Sequence, residues 1–142
     1  MTDLLLQRGL RLNFDDGPLI MGVVNANTDS FSDPRSDSSP QLVIDHAASL
    51  VSGGADLLDV GGQTASPAVP EIGVDEELER VIPVIEALAE ALPHVPLSVD
   101  SYRVEVAEAA LRAGASVLNN IIGAQHVAFA TLAVRYGAAH VI

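Results

Sequence analysis

Four polar side chains stand at the ends of four apolar runs, and their types suit hydrogen bonding to a ligand. Leu19-Ile20-Met21-Gly22-Val23-Val24 leads into Asn25 and then Ala26-Asn27-Thr28-Asp29-Ser30-Phe31-Ser32-Asp33. Leu57-Leu58 leads into Asp59-Val60-Gly61-Gly62, Leu97-Ser98-Val99 into Asp100-Ser101, and Val117-Leu118 into Asn119-Asn120. Carboxylates and amides are costly in a core without partners and useful where a ligand offers donors and acceptors. Each also has a structural reading. Asn25 could close a turn, Asp59 could satisfy loop amides, and Asp100 could cap the helix that follows it.

The elements that would hold these groups alternate. Strands are expected over residues 19–25, 55–60, 96–100 and 115–121, with another beginning near 138. Helices are expected over 40–52, 75–92, 102–113 and 127–136. The third of these strands and its neighbours are nearly continuous apolar runs, as in a sheet covered on both faces or closed into a barrel. The helix over 75–92 carries Leu78, Val81, Ile82, Ile85 and Leu88 at helical spacing, with Asp75 as its expected N-cap. Gly-Ala recurs at Gly54-Ala55, Gly114-Ala115 and Gly137-Ala138, each time ending a helix and entering a strand. Residues 26–40 and 61–74 are long loops, and long loops in such units are commonly functional. Residues 1–17 read as a lead-in, with a hairpin ending at Asp15-Asp16-Gly17-Pro18. Strands alternating with helices imply parallel pairing and right-handed crossovers. The polar groups then share the C-terminal end of one sheet, where barrel enzymes keep their chemistry.

Composition narrows the classes. A chain of 142 residues makes one domain, and 49% hydrophobic content supports an ordered core. No run approaches the ~18 apolar residues of a membrane span. Met1-Thr2-Asp3 lacks the basic start of a signal peptide, and there are no cysteines, so a cytoplasmic location is expected. A net charge of −12 argues against nucleic-acid or anionic-membrane partners. It also means an anionic ligand needs a metal ion or helix N-termini to offset repulsion. His46 and His94 read as surface residues, and His126 and His140 as isolated, so no zinc site is expected. Gly61-Gly62 is too short for a dinucleotide fingerprint. Asp75, Glu76, Glu77 and Glu79 read as a solvated helix start. A closed eight-fold barrel takes ~200–250 residues, so either further polypeptide completes this one or half-barrels pair.

The ordered motifs resemble the N-terminal half of dihydropteroate synthase, a (β/α)8 TIM barrel of folate biosynthesis. Met21-Gly22-Val23-Val24-Asn25 with Thr28-Asp29-Ser30-Phe31-Ser32-Asp33 is similar to the family's first strand and loop. Gly54-Ala55-Asp56-Leu57-Leu58-Asp59-Val60-Gly61-Gly62 is similar to its second strand and turn. Ser98-Val99-Asp100-Ser101 and Asn119-Asn120 are similar to its third and fourth strand ends. On this resemblance the chain supplies about four βα units and the start of strand 5. The implied reaction condenses p-aminobenzoate with a dihydropterin methyl pyrophosphate and releases pyrophosphate. Asp100 and Asn119, with Asp59, are implied to bind the pterin. Asn25 is implied to help hold Mg2+, and Thr28, Asp29, Ser30 and Ser66 to lie near the pyrophosphate. Both long loops are implied to fold over the site, and a homodimer is expected.

Several positions depart from that pattern. Gln63-Thr64-Ala65-Ser66-Pro67 stands where the family has Glu-Ser-Thr-Arg-Pro, so a substrate-contacting Thr becomes Ala65 and a phosphate-gripping Arg becomes Ser66. A hydroxyl supplies neither the charge nor the forked donors of Arg. Asn27-Thr28 replaces Thr-Pro, and Asn120 replaces an Asp. The family's second half contributes a further pterin-binding Asp, a Lys and an Arg-x-His pair, none of which can be placed in these residues. The alternative expectation is therefore an inactive or truncated homologue serving as a pterin-binding or partner subunit.

Overall fold

The computed structural model describes residues 3–26, 40–63, 70–120 and 125–141. The lead-in is the expected hairpin, with β1 (Asp3–Leu5) antiparallel to β2 (Arg11–Asn13) around a 3-10 turn at Gln7–Gly9. Then follow β3 (Met21–Asn25), α1 (Pro40–Ser52), β4 (Leu57–Gly61), α2 (Val74–Ala91), β5 (Leu97–Asp100), α3 (Val104–Ala113), β6 (Val117–Asn119), α4 (His126–Tyr136) and β7 (Ala139–Val141). The last five strands form one parallel sheet in chain order, β3-β4-β5-β6-β7. The expected alternation and its boundaries hold to within a few residues.

Side-chain alternation divides the sheet into two faces. Val24, Leu58, Val60, Leu97, Val99 and Leu118 point into the helical layer and are almost fully buried. From α2 they meet Val81, Val84, Ile85 and Leu88, each at 0% exposure. Burying a side chain of this size contributes about 1.5–3 kcal/mol. Gly54, Gly114 and Gly137 follow α1, α3 and α4 with φ of 106°, 125° and 62°, which L side chains rarely adopt. That backbone need explains the repeated Gly-Ala.

The other face is layered. At its N-terminal end Leu57 and Val117 are covered by Leu6 and Leu12 of the lead-in, with Met21 and Ala139 packed alongside. The hairpin is thus the floor of this face. Gln7 anchors it by donating to the Leu111 carbonyl at 3.1 Å, and Arg8 by donating to the Ala89 carbonyl at 3.2 Å. Both carbonyls lie in the last turns of helices, which lack intrahelical donors.

Two expectations about α2 need correction. The helix begins at Val74 with Gly73 as cap, so Asp75 lies inside the first turn and makes no side-chain cap. Its acidic start is only partly solvated: Asp75, Glu76 and Glu79 are exposed, but Glu77 is buried at 1% exposure. Helical periodicity places Glu77 on the inward stripe with Val81 and Val84, and an ion pair lets it stay there.

Candidate functional site

Register brings the strand-end groups into line. Asn25 pairs with Gly61, Gly61 with Asp100, Asp100 with Asn119, and Asn119 with Val141, so these residues form one row across five strands. The row below runs Val23, Asp59, Ser98, Val117, Ala139. Alternation points both rows to the face away from the helices. Asn25, Asp59, Asp100 and Asn119 therefore share one surface, at its C-terminal end.

Asp59 and Asn119 touch. The Asn119 side-chain amide donates to Asp59 Oδ2 at 2.9 Å, reaching across β5 and one row down. Asp59 is buried, at 6% exposure, and its Oδ1 has no hydrogen-bond partner among the described residues. A buried carboxylate oxygen left open is an acceptor for an incoming donor.

Asp100 is half-buried on the strand between them. Burial, then the charges of Asp59 and Glu77, push its carboxyl up to about 6. Asp59 and Glu77 add to the cost of ionising Asp100, so the site favours a ligand that brings N–H donors or positive charge. Gly61 leaves room beside this carboxylate, since a Cβ there would sit 3.5 Å from Asp100 Oδ2. Asp100 is not the cap of α3. That position is Arg103, and Ser101 Oγ accepts from the Arg103 amide at 3.1 Å.

Asn25 is exposed at the end of β3. Two strand spacings separate its backbone from that of Asp100, roughly 10 Å. Thr28, Asp29, Ser30 and Ser66 lie outside the described residues, as do Ala65 and Asn27. His46 and His94 are exposed as expected, but His126 and His140 are not isolated. Their ring centroids are 6.3 Å apart, and His140 stacks on Phe129 at 5.7 Å in the helical layer. Among the described residues no group of three or more His, Cys, Asp or Glu could hold a metal ion. No helix among them is long and apolar enough to cross a membrane.

Sequence reading missed the groups beneath the row. Arg103 forms an ion pair with buried Glu77, pairs with Glu71 at 2.9 Å, and donates to the Ile72 carbonyl at 2.6 Å. The available signal was Glu77 itself, a charge sitting on the apolar stripe of α2.

Comparison with known proteins follows the same outline. The profile of the family described as "Pterin binding enzyme" matches residues 21–142. The dihydropteroate synthase of Bacillus subtilis (strain 168) is 39% identical over 125 residues, covering 88% of this chain and 44% of that protein. The structure of Xanthomonas albilineans dihydropteroate synthase with 4-aminobenzoic acid superposes with a TM-score of 0.76 at 40% identity, covering 90% of this chain and 47% of the other. Burkholderia cenocepacia dihydropteroate synthase complexed with 7,8-dihydropteroate gives a TM-score of 0.68 at 40% identity, covering 87% and 39%. The chain spans about half the length of the relatives it matches. Its fold is of the TIM-barrel type, of which it supplies about four βα units and the start of the fifth strand.

Proposed function

The chain belongs to the pterin-binding enzyme family, and from that premise we propose that it forms the pterin-holding half of a dihydropteroate synthase. The enzyme would join p-aminobenzoate to a dihydropterin methyl pyrophosphate. The carbon–oxygen bond to pyrophosphate breaks with its electron pair, the aniline nitrogen then captures the methylene carbon, and the nitrogen loses a proton to solvent. The observation that carries this reading is the cluster of Asp59, Asp100 and Asn119 on one inward surface, with Asp59 Oδ1 open. A pterin edge offers ring and amino N–H donors beside a carbonyl acceptor, and two carboxylates with one amide complement it.

In this reading Asp100, Asn119 and Asp59 hold and orient the ring, and Asp59 also accepts from the Asn119 amide. Holding the ring fixes the methylene carbon for capture by the aniline nitrogen, and that positioning is the main contribution of these residues. Asp100 acts ionised, because only the carboxylate accepts from two neighbouring donors. Thr28, Asp29, Ser30 and Ser66 are assigned to the pyrophosphate end, where the loops bearing them would also exclude water.

Asn25 fits Mg2+. A magnesium ion carried on a pyrophosphate needs only one or two protein oxygens, and Asn25 presents an amide from the same row as the ring-binding groups. The ion, when bound, neutralises the departing pyrophosphate. Residues 1–142 would form one domain, the lead-in of residues 1–17 closing its floor. Exposed Val23 on the open face would be covered by the remaining strands of the barrel. A homodimer in the cytoplasm is the assembly and location proposed.

A second reading is a partner subunit that binds a pterin without turnover. Ser66 and Ala65 favour it, since they stand where the family's phosphate-gripping and substrate-contacting side chains would be. Fluorescence titration of the complete polypeptide with a pterin separates the readings when paired with a synthase assay. Binding with turnover supports the synthase, binding without turnover the partner subunit, and no binding rejects both.

A further inference from the structure

We propose that Arg103 and Glu77 are positioning residues: their buried ion pair fastens the α2 end of the β4–α2 connection to the β5–α3 turn, beside Asp100. The inference rests on the synthase reading and assigns a role to residues that reading does not use.

Glu77 is 1% exposed on the apolar face of α2, and Arg103 supplies its counter-charge. The same guanidinium donates to the Ile72 carbonyl at 2.6 Å, pairs with Glu71 at 2.9 Å, and lies 4.9 Å from the Tyr102 ring centroid. It thus grips the end of the connection that enters α2. The end that leaves β4 is held to the same place. Gln63 Oε1 accepts from the Ile72 amide at 2.9 Å, and Arg80 donates to the Gly62 carbonyl at 3.1 Å. Gly62 packs on the pair itself, since a Cβ there would lie 3.4 Å from Glu77 Cγ.

Stability alone is a weak reason for such a pair, because apolar residues of equal volume commonly do as well. Three segments meeting at one forked cation is a geometric device, and only Arg can serve three acceptors from one planar group. The pair also sits in the field of Asp100. The charged groups around that carboxylate are Asp59 on β4 and Glu77 on α2, with Arg103 on its own turn and neutral Asn119 on β6. Arg103 is the counter-charge of Glu77, and Glu77 in turn is one of the charges that raise the Asp100 carboxyl.

The test uses Arg103→Lys, Glu77→Gln, and the paired variant Glu77→Gln with Arg103→Gln, each in the complete polypeptide. Hydrogen exchange reads the Ile72 amide, with Leu118 in β6 as the control for global folding. Arg103→Lys and the paired variant should lose roughly tenfold protection at Ile72 and none at Leu118. Binding of 6-hydroxymethylpterin is followed against pH. Glu77→Gln should move the midpoint down by roughly half a unit, and Arg103→Lys should leave it in place. A merely structural pair would not move that midpoint. Full protection of Ile72 in the folded Arg103→Lys and paired variants, or an unmoved midpoint in Glu77→Gln, overturns the proposal. A wild-type protein that binds no pterin at any pH overturns the synthase reading instead, and exchange at Ile72 still decides the role of the clamp.

Discussion

The Asn119 amide donates to Asp59 Oδ2 at 2.9 Å across an intervening strand. The two residues are 60 positions apart in sequence. They meet because β4, β5 and β6 are parallel, adjacent and in a register that offsets them by one row. The bond fixes which Asn119 atoms remain for a ligand. One amide hydrogen is committed to Asp59, leaving the other and the carbonyl oxygen to face the open surface.

Replacing Asn119 by Ala should therefore cost more than the loss of one contact. It would leave a buried carboxylate without its donor, at about 1–3 kcal/mol. Urea unfolding at neutral pH checks this, with an unchanged denaturant slope as evidence that only stability moved.

Asp100 makes binding depend on pH. Its carboxyl is raised to about 6 by burial, Asp59 and Glu77, so the ionised form proposed to accept from a pterin is depleted below that pH. Pterin affinity should fall as pH drops through about 6. Asp100→Asn should abolish that titration along with most of the affinity.

The same shift has a stability sign. A carboxyl raised in the folded state contributes favourably while protonated, below the ordinary value of 3.8, and that contribution is lost as pH rises through about 6. Asp100→Asn should therefore stabilise the protein at pH 8, by something on the order of 1 kcal/mol once solvent screening is allowed for. At pH 4 it should change stability little. Thermal melting at the two pH values reads the difference.

The two glycines after Val60 should respond differently to Ala. A Cβ at Gly62 would meet Val81 Cγ2 at 2.7 Å, a contact that something must relieve. Overpacking of this kind costs about 1–3 kcal/mol. At Gly61 the nearest atoms lie at 3.5 Å, an ordinary contact. Gly61→Ala should keep the fold and weaken pterin binding by crowding Asp100, while Gly62→Ala should lower the melting temperature.

Much of this was readable beforehand, for identifiable reasons. The strands announce themselves as apolar runs ending in Asn25, Asp59, Asp100 and Asn119, and Gly-Ala marks each return to the sheet. The order of those ends gives the site, because a parallel sheet must bring them to one edge. Pairwise contacts were not readable, since the bond from Asn119 to Asp59 depends on register. Glu77 misled because an acidic residue in a first turn is ordinarily solvated and paired with the helix dipole. Its burial depends on Arg103, from a different turn, which no local pattern reveals. The pairing of His126 with His140 was hidden in the same way, by the packing of α4 on β7.

Turnover measured in the complete polypeptide, with p-aminobenzoate, dihydropterin methyl pyrophosphate and Mg2+, tests the central claim most directly. Dihydropteroate should form, production should stop when the metal is chelated, and Asp100→Ala should abolish it in a protein that still melts cooperatively. A folded wild-type protein that binds the pterin yet releases no dihydropteroate would contradict the synthase assignment and leave a pterin-binding subunit in its place.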